Sequence, residues 1–305
     1  MEALRIQQSV IFRDWEVILV DNNSSDDTVA VTSAAFRDFP CSARVVRESR
    51  QGLSFARKTA CDNANGEVIA YIDDDNVVAP DWVSQCVSFF EIHPMAGVVG
   101  GKVLARCDGP LPSCWSKIKW MLAVRDDMGD VSRRLAPASP VTEVEIPCGA
   151  GMVVRRKVLE EVYSKYSLSL SGRRGRSLSS GEDIEIGLRI VGLGWESWYC
   201  PDMVLWHIIP QSRLTDDYLC RLRYGIVKSC SVTDSISQYG VYPPPLKEAF
   251  RHLWWASCLL FRRLPSLCKR GFDSGILRAA LLGRAHGAMA EVWVALMKRS
   301  DMGRN

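Results

Sequence analysis

Residues 67–82 read EVIAYIDDDNVVAPDW, an apolar run that ends in three consecutive carboxylates, Asp73, Asp74 and Asp75. Val68, Ile69, Tyr71 and Ile72 have the make-up of a buried strand, which puts the acidic cluster at the strand's carboxyl end. In open α/β sheets that edge is where ligands bind. Three like charges side by side repel one another strongly, and a divalent cation is the usual means of neutralising them. Hard oxygen donors suit magnesium or manganese, and those ions suit phosphate. The stretch therefore points to a metal-bridged diphosphate.

Outward from this segment the pattern alternates. EVILVD (16–21) reads as a strand ending in Asp21, and NNSSDDT after it as a turn capping a helix from near Asp26. ARVVRE (43–48) is a second strand. Leu53 to Asn65 has helical spacing, with Phe55, Ala56, Thr59 and Ala60 on one side. Pro80 opens a helix through Ile92, and AGVVGGKV (96–103) is a further strand. Such alternation predicts an α/β fold with a parallel, doubly wound sheet.

After Arg106 the pattern loosens. Residues 113–125 read as helical, 126–147 as a loop crossing the active face, and 148–156 as a glycine-led strand followed by a helix through Tyr163. The Gly/Ser/Arg-rich segment 167–181 reads as a loop. A helix is predicted from Glu182 to Gly192 or Gly194, and WESWYC and MVLWH as two short strands. Thr215 caps a helix over 215–231, and helices over about 246–264 and 275–299 fill the tail. The division this implies is a main α/β domain over 1–235 and a helical extension over 236–305.

Length and composition fit that division: 305 residues, 47% hydrophobic and 24% charged, suit one large α/β domain with an appendage. A net charge of +3 is too small to imply a nucleic-acid partner. The charge is uneven, however: from Val241 onward eleven Lys/Arg face four Asp/Glu. The eleven cysteines are scattered, with no CxxC pair, and read as reduced thiols of a cytoplasmic protein. No apolar leader opens the chain. LWWASCLLF (253–261) is too short to span a bilayer, which takes roughly 20 residues. Paired Trp with flanking Lys/Arg fits a helix lying in an anionic membrane surface; ordinary packing against the main domain fits it equally. The membrane reading would place the protein at the inner face of the plasma membrane.

WEVILVDNNSSDDT, GLSFARKTACDNANGEVIAYIDDDN, CGAGMVVRR, GEDIEIGLRIVGLGW and WHIIPQSRLT, in that order over roughly residues 14–230, closely resemble glycosyltransferase family 2, the inverting GT-A fold enzymes. Each motif alone is weak; five in sequence are specific. The resemblance implies a nucleotide-sugar donor, a hydroxyl acceptor (often lipid-linked) and Mg2+ or Mn2+. It implies that Asp21 bonds the nucleotide base and that Arg57, after Gly52, reaches base or phosphate. Asp73 and Asp74 take the ribose and nucleotide side, and Asp75, with Asp73, the metal. Asp183, of the Glu182–Asp183 pair, is the implied catalytic base, and His207 a further metal or phosphate contact.

Each of these residues also has a plainer reading. The triplet could be a solvated turn, and Glu182–Asp183 a favourable charge at a helix N-terminus. Asp21 could merely start its turn, Arg57 could face solvent, and His207 could be a buried structural histidine. The Arg173, Arg174, Arg176 cluster fits a flexible loop better than a phosphate clamp. The family sheet opens with a strand before the Asp21 strand, whereas residues 1–14 read as a helix end. The first βα unit is therefore expected to be missing, which favours a rival reading as an inactive scaffold or assembly subunit. A nucleotidyltransferase is the other rival, although no Gly-rich phosphate loop is visible.

Overall fold

The computed structural model describes residues 1–8, 15–135, 146–173, 178–263 and 272–302. After a single helical turn, α1 (Glu2–Arg5), comes a βαβ unit: β1 (Glu16–Asp21), α2 (Thr28–Ala35) and β2 (Ser42–Arg47). The two strands pair in parallel from Glu16 opposite Ser42 to Asp21 opposite Arg47. Helix α3 (Leu53–Asn63) packs back over β1. Among the described residues no ladder joins this two-stranded sheet to the larger one.

The larger sheet contains β3 (Val68–Ala70), β4 (Asn76–Val78), β5 (Ala96–Cys107), β6 (Arg133–Arg134), β7 (Val153–Arg155) and β8 (Glu196–Ile209). Its order is β3-β7-β5-β8-β4, with β6 beside β8. The α/β class is as expected, but the parallel pairing is confined to β1/β2 and β5/β8. Strand β7 runs against both β3 and β5, and β4 and β6 run against β8. The reason lies in the connections. Helical crossovers impose parallel pairing, whereas β7 follows a long irregular segment and β4 follows only the acidic turn. Residues 71–75 thus link the two outer strands of the sheet, and Asn76 N–H closes the turn on the Asp73 carbonyl at 3.0 Å.

Two cores flank β5. Val98 points into one, with Val154, Val158, Leu159, Ile186 and Ile190. Val99 points into the other, with Trp82, Phe89, Phe90 and Leu205, as the two-residue period of a strand requires. Helix α4 (Trp82–Ile92) covers the second face; α6 (Arg156–Lys165) and α7 (Glu182–Gly192) cover the first. Each large side chain buried there contributes about 1.5–3 kcal/mol.

Instead of two short strands, WESWYC and MVLWH lie in the single strand β8. Its register against β5 jumps between Gly101 and Lys102, so that Cys200 and Val204 face consecutive residues. Pro201 to Met203 bulge out there, and the Met203 carbonyl presses on the Gly101 Cα where a Cβ could not fit. Residues 113–125 give only one α turn, α5 (Trp115–Ile118), and a 3-10 turn over Lys119–Leu122. The reversal at Ala123, φ +60°, ends it.

In the tail, α8 (Asp216–Tyr239) is longer than expected and runs through residue 235. Helix α9 (Leu246–Arg262) packs on α10 (Phe272–Met302) through Ala249, Leu253, Val292 and Ala295. Gly283 and Gly287 let α10 approach the α8 backbone at Tyr224 and Lys228. Among the described residues no helix is long and apolar enough to cross a membrane. Every described cysteine is a free thiol.

Candidate active site

The acidic turn is pinned at both ends by the sheet. Tyr71 N–H donates to the Met152 carbonyl at 2.9 Å, and Ile208 N–H donates to the Asp75 carbonyl at 2.8 Å. Asp73 and Asp75 are half-buried, while Asp74 is exposed. Asn76 donates from Nδ2 to Asp75 Oδ1 at 3.1 Å. Asp75 Oδ2 accepts from Arg213 Nη1 at 2.6 Å and lies 3.3 Å from His207 Nε2. Burial would raise the Asp75 carboxyl, but His207 and then Arg213 bring it down to about 2. The other imidazole nitrogen, Nδ1, is 2.7 Å from the Leu122 carbonyl, which can only accept, so Nδ1 carries the proton.

A second cluster stands behind the first. Arg57, on α3, is buried and donates to Glu182 Oε1 at 2.9 Å. Its guanidinium sits over the Tyr71 ring at 5.5 Å. Burial opposes its charge, and Glu182, Asp183 and Asp73 together more than offset that penalty. Burial pushes the Glu182 carboxyl up, against the pull of Arg57 and with the help of Asp183. Glu182 Oε2 has no hydrogen-bond partner among the described residues. Burial likewise raises the Asp73 carboxyl, Arg57 acting against the rise and Asp75 with it. One guanidinium therefore pairs with the start of α7 and acts electrostatically on Asp73 of the acidic turn.

Asp183 is half-buried at the second position of α7. It accepts from Gly149 N–H, and from Ile184 N–H at 2.9 Å. Gly149 has no room for a side chain: a Cβ there would collide with Arg57 Nη2 and stand 3.2 Å from Asp183 Oδ2. Next on the helix, Glu185 is fully buried and accepts from the Ser169 and Leu170 amides at 2.9–3.0 Å. It fixes the loop that leads to Gly172, where φ is +70° and a Cβ would lie 2.8 Å from the Glu182 carboxyl carbon. Arg173 acts electrostatically on Asp73; Arg174 and Arg176 lie outside the described residues.

Of the residues singled out in the sequence, Asp75 and His207 meet at the acidic turn, Arg57 pairs with Glu182 and lies beside Asp183 at Gly149, and Asp73 is linked electrostatically to both groups. Asp74 points to solvent. Asp21 ends β1 as a buried carboxylate, accepting from Ser24 N–H at 2.9 Å, and its neighbour Asn22 accepts from Gly52 N–H at 2.7 Å. Arg213 and Glu185 had no role in the sequence argument. Arg213 carried one signal, being the single cation in the quoted stretch WHIIPQSRLT.

A divalent ion fits this donor set in part. Asp75 offers a hard oxygen and His207 an aligned imidazole, a pairing that manganese accepts. Among the described residues no three His, Cys, Asp or Glu side chains converge as a ready-made cage. Phosphate oxygens and water would have to complete the shell, as is usual for magnesium and manganese at diphosphates.

The chain matches the Glycosyl transferase family 2 over residues 2–163, more than half its length, and belongs to that family. It is 27% identical over 188 residues to the glucosyl-dolichyl phosphate glucuronosyltransferase of Haloferax volcanii, which covers 60% of this chain and 56% of the relative. It is 24% identical over 208 residues to the succinoglycan biosynthesis protein ExoM of Rhizobium meliloti, covering 68% and 61%. An N-acetylglucosaminyltransferase of the same organism is 25% identical over 205 residues, covering 65% and 45%. The chain thus spans little more than half the length of the first two relatives. The α/β architecture with its helical tail accords with the family's GT-A fold.

Proposed function

We propose that the protein is a metal-dependent, inverting glycosyltransferase that moves a sugar from a nucleotide-sugar donor to a hydroxyl acceptor in polysaccharide or glycolipid synthesis. The observation that supports this reading is the buried Arg57–Glu182 ion pair, which joins α3 to the Glu182–Asp183 start of α7, with Asp73 of the acidic turn within electrostatic reach of the same guanidinium. Breaking a sugar–phosphate bond leaves a diphosphate with growing negative charge. A bound Mg2+ or Mn2+ would supply electrostatic stabilisation of that charge, held by Asp75 and His207 with Asp73 beside them. Asp21, Asp73 and Asp74 serve the nucleoside.

An acceptor hydroxyl is a poor nucleophile and needs a base as it attacks. Asp183 fills that role: the Gly149 and Ile184 amides fix both its oxygens without occupying all their lone pairs. Attack from the Asp183 side, opposite the diphosphate, inverts the anomeric centre. Glu182 and Arg57 hold the base in place, and Arg57, enclosed by carboxylates, works as a positioning residue more readily than as a nucleotide contact.

The acceptor reading follows from the tail. On α9, Phe250, Trp254 and Trp255 are exposed beside Lys247 and Arg251; on α10, Leu282, Met289, Trp293 and Leu296 are exposed at intervals of seven, four and three residues. Aromatic and basic residues together suit an anionic lipid surface. One relative is named for glucosyl-dolichyl phosphate, a lipid-linked sugar. A lipid-linked acceptor presented at a membrane's cytoplasmic face accounts for both. The test is incubation with Mn2+ and a panel of UDP-, GDP- and dTDP-sugars, with the product anomer read by NMR. An α-linked donor should give a β-linked product; retention, or no turnover of any donor, would refute the reading.

A further inference from the structure

Arg213 stands on the one-turn 3-10 helix Gln211–Leu214 that follows β8, its amide donating to the Pro210 carbonyl at 2.9 Å. Its side chain is 27% exposed. Nη1 is 2.6 Å from Asp75 Oδ2 and 3.5 Å from His207 Nε2, and that Nε2 is 3.3 Å from the same oxygen. With Nδ1 committed to the Leu122 carbonyl, Nε2 is the imidazole nitrogen that faces this meeting point. The two donors best suited to a divalent ion are therefore turned toward a guanidinium. A guanidinium and a divalent ion cannot share Asp75 Oδ2, since two cations about 4 Å apart repel strongly.

We propose that Arg213 is an exchangeable counter-ion: it balances Asp75 while the cation is away, yields that carboxylate when the cation arrives, and then engages the diphosphate. The inference rests on the reading that Asp75 and His207 face the metal–diphosphate. Arg213 is suited to the exchange. Its short helix and partial exposure let it swing without opening a core, and its planar fork matches phosphate oxygens as well as a carboxylate. The exchange also couples the two ligands. Cation alone must compete with Arg213, whereas cation and diphosphate together give the displaced guanidinium a new partner.

The test is binding, independent of turnover. Free Mn2+ is followed by its aqua-ion EPR signal against wild type, Arg213→Ala, Arg213→Gln and Asp75→Ala, without nucleotide. Inorganic pyrophosphate binding is then measured by calorimetry in saturating Mg2+. Both Arg213 variants should bind Mn2+ about 10-fold tighter than wild type and pyrophosphate about 10-fold more weakly. A wild type too weak to measure beside a measurable Arg213→Ala supports the exchange equally. Mn2+ binding that is unchanged, weaker or undetectable in both Arg213 variants overturns it, while loss of binding in Asp75→Ala leaves the metal reading standing. If Asp75→Ala binds Mn2+ as well as wild type, the metal reading and the exchange fall together.

Discussion

Arg57 and Glu182, 125 residues apart in the chain, meet in an ion pair of 2.9 Å with side-chain exposures of only 4% and 5%. The pair joins α3, which packs on the Asp21 strand, to α7, which carries the proposed base. Removing one partner of a buried pair costs about 3–5 kcal/mol. The two partners differ in how they respond, since a carboxyl can take up a proton and a guanidinium cannot lose one.

Arg57→Met should therefore be destabilised in a pH-dependent way. Without the cation, the Glu182 carboxyl, already raised by burial, rises further above its unfolded value. A carboxyl raised on folding contributes stability at low pH that is lost as pH climbs through the folded value. Urea unfolding should show the full deficit of about 3–5 kcal/mol near pH 8 and a smaller one near pH 5. A deficit that is equal at both values would count against the buried pair as described.

Asp75 behaves in the opposite sense. Its carboxyl is held at about 2, below the ordinary 3.8, so its contribution is present above pH 4 and lost as pH falls toward 2. At about 1.36 kcal/mol per unit, discounted for solvent screening of a pair whose side chains are 27% and 21% exposed, this amounts to about 1–2 kcal/mol. Unfolding of the chelator-treated protein should lose that increment between pH 4 and 2. Asp75→Asn should show a flatter dependence over the same range.

Gly149→Ala tests the geometry of the base. The added methyl collides with the Arg57 guanidinium and crowds Asp183 Oδ2, and small misplacements of reacting groups cost about 10²-fold in rate. Turnover should fall by about that factor while far-UV circular dichroism stays native. Unaltered kinetics would show that Gly149 does not set the position of Asp183.

The tail helices make a separate prediction. Trp254 and Trp255 are 70% and 63% exposed. Cosedimentation with vesicles containing phosphatidylglycerol should drop several-fold in the Trp254→Ala/Trp255→Ala double variant and weaken with salt, while neutral vesicles capture little of either protein. Equal capture of wild type and variant would remove the membrane contact from the account.

The strand ending in Asp21, the acidic turn and the 182–183 pair were legible because apolar runs stopping at carboxylates carry their own signal. The mixed pairing was not, because β3, β4 and β7 have three residues each and nothing local records which neighbour a short strand will choose. Strand β8 read as two because Pro201 interrupts it, and only the glycine opposite, Gly101, lets the sheet absorb the bulge. Arg213 escaped notice because its importance comes from meeting Asp75 across 138 positions. The same is true of Arg57, whose fit to a nucleotide-contact motif gave no hint that carboxylates enclose it.

The account turns on Asp75 and Asp183 acting on one donor from opposite sides. The direct measurement is single-turnover sugar release from a cleavable nucleotide-sugar with Mn2+, comparing wild type with Asp183→Asn and Asp75→Ala. The account predicts that Asp183→Asn loses about 10²–10⁴-fold in rate while still binding pyrophosphate, and that Asp75→Ala loses both. Undiminished turnover in the two variants would contradict it.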